Sequence, residues 1–157
     1  MCEVKEMDYR EPAEIEIYMP KEGIVLRDIS LIAIDQNGEG KILAIGNDAK
    51  YVQAAETKIY SPMKEGKIAE WEDSCKIIRW YMHSTWGKRH AIKKARVVVC
   101  TLPNLTGIEK KAFEEALYRA GAKNVLLSEM TREEFVIKAG SDKYDVIISV
   151  GQNFRGL

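Results

Sequence analysis

The 157-residue sequence lacks long apolar runs and has few cysteines. No stretch approaches the roughly 18 apolar residues that a membrane-spanning helix requires. The three cysteines, Cys2, Cys75 and Cys100, are odd in number, lie far apart and form no Cys-x-x-Cys pair. This arrangement argues against a disulfide framework and against a zinc knuckle. We therefore expect Cys75 and Cys100 to be small buried side chains.

The sequence also lacks an excess of charge of either sign, because 24 basic residues balance 24 acidic ones. Nonspecific nucleic-acid binding depends on Lys and Arg neutralising phosphates, so a nucleic-acid partner is not expected. The acidic N-terminal segment has no apolar centre, which predicts no signal peptide and a cytoplasmic location. Histidine is scarce, and His83 and His90 have no neighbouring ligand set that predicts a metal site.

The most informative stretch that is present, residues 96–129, is typical of a strand–helix–strand unit. Residues 96–100 are a short β-branched run that predicts a buried strand. Thr106 and Glu109 then form a capping box, a signature of a helix N-terminus. Residues 124–128 predict a second buried strand. Such units build parallel sheets with a helix on one face.

The helix of this unit has one apolar stripe, and further elements follow it. The stripe consists of Ile108, Ala112, Phe113, Ala116, Leu117 and Ala120. Gly121 is placed to end the helix. A second capping box at residues 131–134 opens another short helix, and residues 145–151 predict a last buried strand.

The first half of the sequence favours antiparallel hairpins. Residues 14–18 alternate charged and apolar side chains, which predicts a half-exposed strand paired with residues 23–27. Residues 31–35 and 41–45 flank an Asn-Gly turn and predict a second antiparallel pair. Asn47 is expected to cap the short helix that follows.

A longer helix is predicted before the central unit. Asp73 or Ser74 is expected to cap it, and apolar residues at helical spacing form its inward face. The three tryptophans, which lie around this helix, are expected to anchor it in the core. Residues 88–94 then form a basic segment, which is either a solvated connection or a docking surface for an acidic partner.

Five short blocks occur in a distinctive order between Gly23 and Glu129. They are Gly23-Ile24-Val25-Leu26, Lys41-Ile42-Leu43-Ala44-Ile45-Gly46, Pro62-Met63-Lys64-Glu65-Gly66-Lys67-Ile68-Ala69, Arg96-Val97-Val98-Val99-Cys100 and Gly121-Ala122-Lys123-Asn124-Val125. Their order and gaps resemble the MreB family, the bacterial actins that organise rod-shaped cell growth.

This resemblance implies an α/β fold, namely domain I of an actin-like ATPase (ribonuclease H-like). Such a domain has a mixed sheet with flanking helices and a small inserted lobe. We expect residues 1–157 to form a single truncated domain of this kind, with the small lobe at about residues 30–68.

The resemblance is weakest at the two loops that hold ATP phosphates in this family. The first, Asp-x-Gly-Thr in an N-terminal hairpin, corresponds to the segment at Asp8, where Glu11 and Pro12 follow and no glycine does. The second, Asp-x-Gly-Gly-Gly-Thr after a strand, corresponds to the segment where Ser149 replaces the aspartate and Gly151 is the remaining glycine. The resemblance therefore implies that Asp8 and Gly151 are vestigial cofactor-binding residues.

One catalytic position has a counterpart in this sequence. The family carries Glu-Glu-Pro after the second strand of the strand–helix–strand unit, and the glutamate before proline positions the attacking water. Ser128-Glu129-Met130 stands at that place, which makes Glu129 the candidate catalytic residue. The alternative is that Glu129 is a polar strand end before a helix N-terminus, where a carboxylate is stabilised in any case.

Two functional hypotheses follow from this pattern. The first is a non-enzymatic, cofactor-free, MreB-like protein with a degenerate ATP site. It would act through protein–protein contacts with a full-length bacterial actin or as a homo-oligomer, and would modulate the bacterial cytoskeleton or cell shape. The second is the ATP-binding half of an actin-fold ATPase that a second polypeptide completes, with ATP and magnesium as cofactors.

Overall fold

A computed structural model describes residues 5–8, 12–37, 40–54, 56–90, 93–140 and 142–151, with the backbone alone at residues 5–8. The first strands are β1 (Lys5–Asp8), β2 (Glu14–Met19), β3 (Gly23–Ile29), β4 (Ile32–Asp35), β5 (Ile42–Ile45), β6 (Thr57–Tyr60), β7 (Met63–Lys64) and β8 (Lys67–Ile68). The later elements are α1 (Trp71–Met82), β9 (Arg96–Cys100), α2 (Gly107–Arg119), β10 (Asn124–Ser128), α3 (Arg132–Ala139) and β11 (Val146–Val150). A 3₁₀ helix spans Gly46–Tyr51, and a π-helical segment, His83–Gly87, extends α1.

The main sheet has five strands in the order β10-β9-β11-β2-β3. β9 pairs in parallel with both β10 and β11, which confirms the predicted strand–helix–strand unit. The hairpin β2–β3 joins this parallel part because β2 runs antiparallel to β11. β11 therefore lies at the centre of the sheet, and all five of its residues are buried.

A second sheet has four strands in the order β1-β6-β4-β5. β4 pairs antiparallel with β5, as the sequence predicts, and β1 pairs in parallel with β6. A short hairpin, β7–β8, follows and leads into α1. Ile32, Ile45 and Met63 from this region belong to the same hydrophobic cluster as the main sheet, so one core extends under both sheets.

Helices cover both faces of the main sheet. On one face, Tyr81 of α1 and Phe113 of α2 are almost fully buried in the same cluster as Val99. On the other face, Phe135 of α3 packs against the cluster that contains Val98. Burial of a large apolar side chain contributes about 1.5–3 kcal/mol, so these contacts hold the three layers together.

The predicted cap of α1 is wrong. The helix begins three or four residues earlier, with Glu70 at the N-cap and no side-chain capping bond. Asp73 accepts a hydrogen bond from the Tyr60 hydroxyl, and the Ser74 hydroxyl donates to the carbonyl of Pro62 at 3.0 Å. Both predicted caps thus serve to attach the first turn of α1 to the β6–β7 connection.

Four other sequence predictions also need correction. Asn47 lies inside the 3₁₀ helix instead of capping it, and its backbone N–H donates to Asp28 Oδ1 at 2.6 Å. Ile108 is 85% exposed because it lies in the first turn of α2, before the part that packs on the core. β10 is an edge strand with Leu126 exposed, so it is less buried than predicted. Trp80 is likewise exposed, and of the three tryptophans Trp86 is the buried one.

A forked ion pair joins the starts of β9 and β11. Arg96 donates from Nη2 to Asp145 Oδ1 and from Nε to Asp145 Oδ2, each at 3.1 Å. The Arg96 backbone N–H also donates to Asp145 Oδ2 at 2.8 Å. Burial alone would raise the pKa of Asp145, but the hydrogen bonds and charge of Arg96 outweigh burial and lower it below its ordinary value of 3.8.

We expect Asp145→Asn to lower the free energy of unfolding at pH 7 by about 1 kcal/mol, since it removes the charge from a partly exposed pair. Because folding lowers the pKa of Asp145, its contribution is complete above pH 3.8 and is lost as the pH falls through the folded pKa. Urea unfolding from pH 7 to pH 2.5 should show the two proteins converging in acid. Glu115→Gln, on the exposed face of α2, is the matched control, and a constant difference at all pH values would contradict the assignment.

Candidate functional site

The carboxyl ends of β9, β10 and β11 meet at one edge of the main sheet because these strands are parallel. Thr101, Glu129 and Gly151 are the residues that directly follow them. β2 starts at this edge, because it runs antiparallel to β11. Open sheets of this kind bind ligands beyond the carboxyl ends of their strands, so this edge is the candidate site.

Gly151 is packed closely at this edge. Its N–H donates to the carbonyl of Glu14 at 2.8 Å, and its φ is +81°. A Cβ at this position would lie 2.7 Å from Gly66 Cα and 3.3 Å from Leu102 Cδ1. Gly66, in the β7–β8 turn, has the same relation to Leu102, which a Cβ would approach to 2.6 Å. The glycine at 151 is thus required by contact with the protein's own backbone and with Leu102.

Glu129 lies at the surface of the same edge. Its Oε2 atom is 3.5 Å from Lys110 Nζ in the first turns of α2, and the two side chains are 49% and 44% exposed. An exposed pair of this kind contributes at most about 1 kcal/mol. The contact holds the Glu129 carboxylate next to a cation and close to the start of α2.

The N-terminus of α2 is capped by its own residues. Thr106 Oγ1 accepts from the Glu109 backbone N–H at 3.1 Å, and Glu109 Oε1 accepts from the Thr106 backbone N–H at 2.8 Å, which confirms the predicted capping box. The bond from the Thr106 backbone is the main reason that the pKa of Glu109 is lowered, and Lys67, 3.5 Å from Glu109 Oε2, assists. The carboxylate of Glu109 thus occupies the place where a helix N-terminus could receive an anion.

Asp8 lies in a different sheet from Glu129 and Gly151. It is the last residue of β1 and stands opposite Tyr60 of β6. The structure describes only its backbone, and Glu11 lies outside the described residues. Pro12, the first residue described after this gap, forms a bridge with Lys64 of β7. The structure therefore brings two of the three predicted site residues to one edge and places Asp8 on the second sheet.

β11 pairs antiparallel with β2 in the main sheet. Ser149 stands opposite Glu16 and Val150 opposite Ile15, and Gly151 follows next to the start of β2. The neighbours of β2 are β3 and β11, whereas β1 pairs with β6. The segment that the resemblance assigns to the second phosphate loop thus adjoins the start of β2, whereas Asp8, assigned to the first loop, lies on the other sheet.

Glu16 is a buried charged residue that the sequence prediction missed. Arg132 Nε donates to Glu16 Oε1 at 2.6 Å, and Arg27 Nε donates to Glu16 Oε2 at 3.1 Å. The side chain of Glu16 is 2% exposed, so the prediction of a half-exposed strand at residues 14–18 is wrong. The second face of β2 is covered by α3, and Arg132 supplies the charge that makes burial of the carboxylate tolerable.

The described cysteines do not form a reactive site. Cys100 is fully buried, as predicted, and burial raises the pKa of its thiol to about 11 although the Ser149 hydroxyl partly offsets this effect. Cys75 is less buried than predicted, and burial also raises the pKa of its thiol. Thiols with raised pKa values are poor nucleophiles. The described residues contain no group of three His, Cys, Asp or Glu side chains suited to a metal ion.

The basic segment at residues 88–94 is attached to the domain at both ends. Arg89 Nε lies 2.9 Å from Glu22 Oε1, and the ring of His90 stacks on Trp86 with centroids 3.9 Å apart. Trp86 Nε1 donates to the carbonyl of Lys93 at 2.7 Å. Residues 91 and 92 lie outside the described part of the chain.

Comparison with known proteins identifies the family to which this chain belongs. The sequence model of the MreB/Mbl protein family matches residues 11–146. The chain belongs to the MreB/Mbl family. No helix in the described part of the chain combines the length and the apolar character that crossing a membrane demands.

Relatives of known role within this family are cell shape-determining proteins. The chain is 33% identical over 120 residues to Mbl of Bacillus cereus, which covers 74% of this chain and 35% of that protein. It is 33% identical over 119 residues to MreB of Pasteurella multocida, covering 72% and 34%. The chain thus spans about a third of the length of the curated relatives it matches.

Solved structures confirm the predicted fold class. MreB5 of Spiroplasma citri bound to ADP matches with a TM-score of 0.64 and 21% identity, over 76% of this chain and 36% of that one. The same protein bound to AMPPNP also matches with a TM-score of 0.64, over 78% and 39%. The mixed α/β fold described above is therefore an actin-like fold.

We expect Gly151→Ala to destabilise the protein more than Gly23→Ala, although φ is nearly the same, +81° and +83°. Nothing lies within 4 Å of a Cβ at Gly23, so this control measures the backbone conformation alone, at about 1–2 kcal/mol. The contact with Gly66 should add about 1–3 kcal/mol at Gly151. Urea unfolding of the two variants measures the difference, and equal losses would show that the packing at Gly151 is unimportant.

Proposed function

We propose that this chain is a non-catalytic MreB-like domain that acts through protein–protein contacts and modulates bacterial actin filaments or cell shape. The observation that carries this proposal is the packing of Gly151 against Gly66 and Leu102 at the candidate site. Phosphate loops work because glycine lets backbone N–H groups approach an anion closely. Here the N–H of Gly151 donates to the carbonyl of Glu14, and Gly66 and Leu102 fill the space where a side chain at Gly151 would stand.

The charges at the same edge support this proposal. The carboxylate of Glu109 caps the helix N-terminus that could hold a phosphate, and Glu129, which is paired with Lys110, adds a second negative charge at this edge. Lys67 and Lys110 are each 3.5 Å from one of these carboxylates, so their charges are already balanced. A triphosphate would have to displace these pairs and would repel the carboxylates.

Membership of the MreB/Mbl family supports the choice of partner. The curated relatives are cell shape-determining proteins, and the similarity to them extends over about three quarters of this chain. A full-length bacterial actin is the partner that we propose, and self-association of this chain is the alternative form of contact.

We expect the purified chain to pellet with filaments of full-length MreB from Escherichia coli, or to change their length. The measurement is co-sedimentation together with electron microscopy of the filaments. The chain centrifuged alone is the control, because it also detects self-association. No co-sedimentation and unchanged filament length would contradict the proposal.

A second candidate function is the ATP-binding half of an ATPase that another polypeptide completes. The meeting of Glu129 and Gly151 at one sheet edge favours it, because the resemblance assigns water positioning and phosphate binding to these places. The two functions differ in nucleotide binding, which calorimetry measures directly.

We expect no heat of binding when ATP and magnesium are titrated to millimolar concentration, with or without a second-domain polypeptide. Binding that Asp8→Ala weakens, together with turnover that Glu129→Gln abolishes, would overturn the non-catalytic proposal. Lys111→Glu, on the exposed surface of α2, is the control for unspecific charge effects on the titration.

A further inference from the structure

A groove of about 730 Å³ lies between the second sheet and α1, away from the edge with Glu129 and Gly151. One side is β5, residues Ile42–Ile45, with Asp48 of the 3₁₀ helix beside it. The other side is the outer surface of α1 and its extension, with Lys76, Arg79, Trp80 and His83. The two sides differ in character, since the first is mainly apolar and the second mainly basic.

β5 is an edge strand. It pairs with β4 on one side, and no described strand pairs with its other side. An edge strand offers backbone N–H and C=O groups to any extended segment that approaches it. Ile42, Leu43 and Ala44 are half-buried, so this edge also offers apolar side chains to an added strand.

The α1 side of the groove is a basic stripe. Lys76, Arg79 and His83 are spaced three and four residues apart, so they lie on one face of the helix, and all three are exposed. Lys76 Nζ is 3.7 Å from Asp73 Oδ1, which balances part of its charge, and Asp48 is the acidic residue among the described residues that line the groove. The described lining thus carries two cationic side chains, Lys76 and Arg79, and one anionic side chain, Asp48, and Arg79 is the main attraction for an acidic occupant.

An aromatic side chain stands in the middle of this stripe. Trp80 is 44% exposed, and its ring meets the buried Tyr81 ring edge-on with centroids 5.3 Å apart. Tyr81 in turn donates its hydroxyl proton to the carbonyl of Ile29 at 3.0 Å, which anchors the pair in the core. Trp80 is therefore a fixed apolar surface of the kind that dominates protein interfaces.

We propose that this groove binds an extended acidic segment of a partner protein, which adds to β5 as a further strand. Its backbone would pair with β5, and the acidic side chains on one face of the added strand would reach the basic stripe, with their aliphatic stems over Trp80. This inference rests on the proposed function in that it assumes action through protein contacts, and it names the face and the chemistry of the contact.

The dimensions of the groove fit this occupant. Lys76 and His83 are seven helix positions apart, which corresponds to about 10 Å along the axis. Side chains on one face of a strand repeat about every 6–7 Å, and a strand lying along α1 places two of them within that length. Acidic residues at alternate positions therefore all face the basic stripe, and the apolar residues between them lie on the other face, beside the side chains of β5.

The test uses a fluorescein-labelled peptide of about six residues in which glutamate alternates with valine. We expect saturable binding by fluorescence anisotropy below millimolar protein, and amide NMR shifts concentrated at Ile42–Ile45. A peptide with lysine in place of glutamate, and one with a central proline that removes a backbone donor, should bind much more weakly. Affinity should fall as salt is raised.

Matched variants separate the groove from general charge. Arg79→Glu should weaken binding by about five- to tenfold, because it removes one attraction and adds one repulsion at an exposed site. Trp80→Ala should weaken it further, while Lys111→Glu, the same charge change on α2, should leave it unaltered. Thermal melts by circular dichroism show whether each variant remains folded.

Three results would overturn the proposal. They are no binding of the glutamate peptide, equal binding of the lysine or proline peptide, or amide shifts away from β5. If the glutamate peptide does not bind but the chain still co-sediments with MreB filaments, this groove is rejected as the contact and the proposed function stands. Binding of the peptide without any co-sedimentation would reject the filament partner and leave the groove.

Discussion

The pairing of β11 between β2 and β9 is the interaction on which the rest of the structure depends. Without it, the main sheet would separate into the hairpin β2–β3 and the parallel pair β9–β10. All five residues of β11 are buried, so the strand contributes apolar contacts to both faces as well as backbone bonds to both neighbours. The position of Gly151, and with it the packing at the candidate site, is a direct result of this pairing.

The buried carboxylate of Glu16 positions the helix that covers the second face of the sheet. A buried ion pair adds little to stability compared with apolar packing, but an unpaired charge at this place would be strongly unfavourable. Because α3 lies across β2, Arg132 Nε donates a hydrogen bond to Glu16 Oε1 at 2.6 Å and neutralises its charge. We interpret this contact as the one that fixes where α3 begins on the sheet, with Phe135 then packing beyond it.

Local signals in the sequence were sufficient for most of the elements but not for their assembly. The capping boxes at Thr106 and Thr131 and the parallel pair β9–β10 are confirmed, because each depends on residues close together in the chain. The place of β1 beside β6 and the burial of Glu16 depend on partners far away in sequence, and no local pattern encodes them. The family and fold were predictable because ordered blocks of sequence preserve ancestry. The role of Gly151 was not, because it is decided by contacts with Leu102 and Gly66.

The central place of β11 also has a consequence for biosynthesis. Val146 lies 127 positions after Met19, so β2 leaves the ribosome long before the strand that will join it to β9. At about 5–20 residues per second, this delay is on the order of 10 s, during which an apolar strand edge has no partner. Folding of this sheet therefore has to wait for a long-range contact, whereas a protein with neighbouring strand pairs completes its sheet sooner.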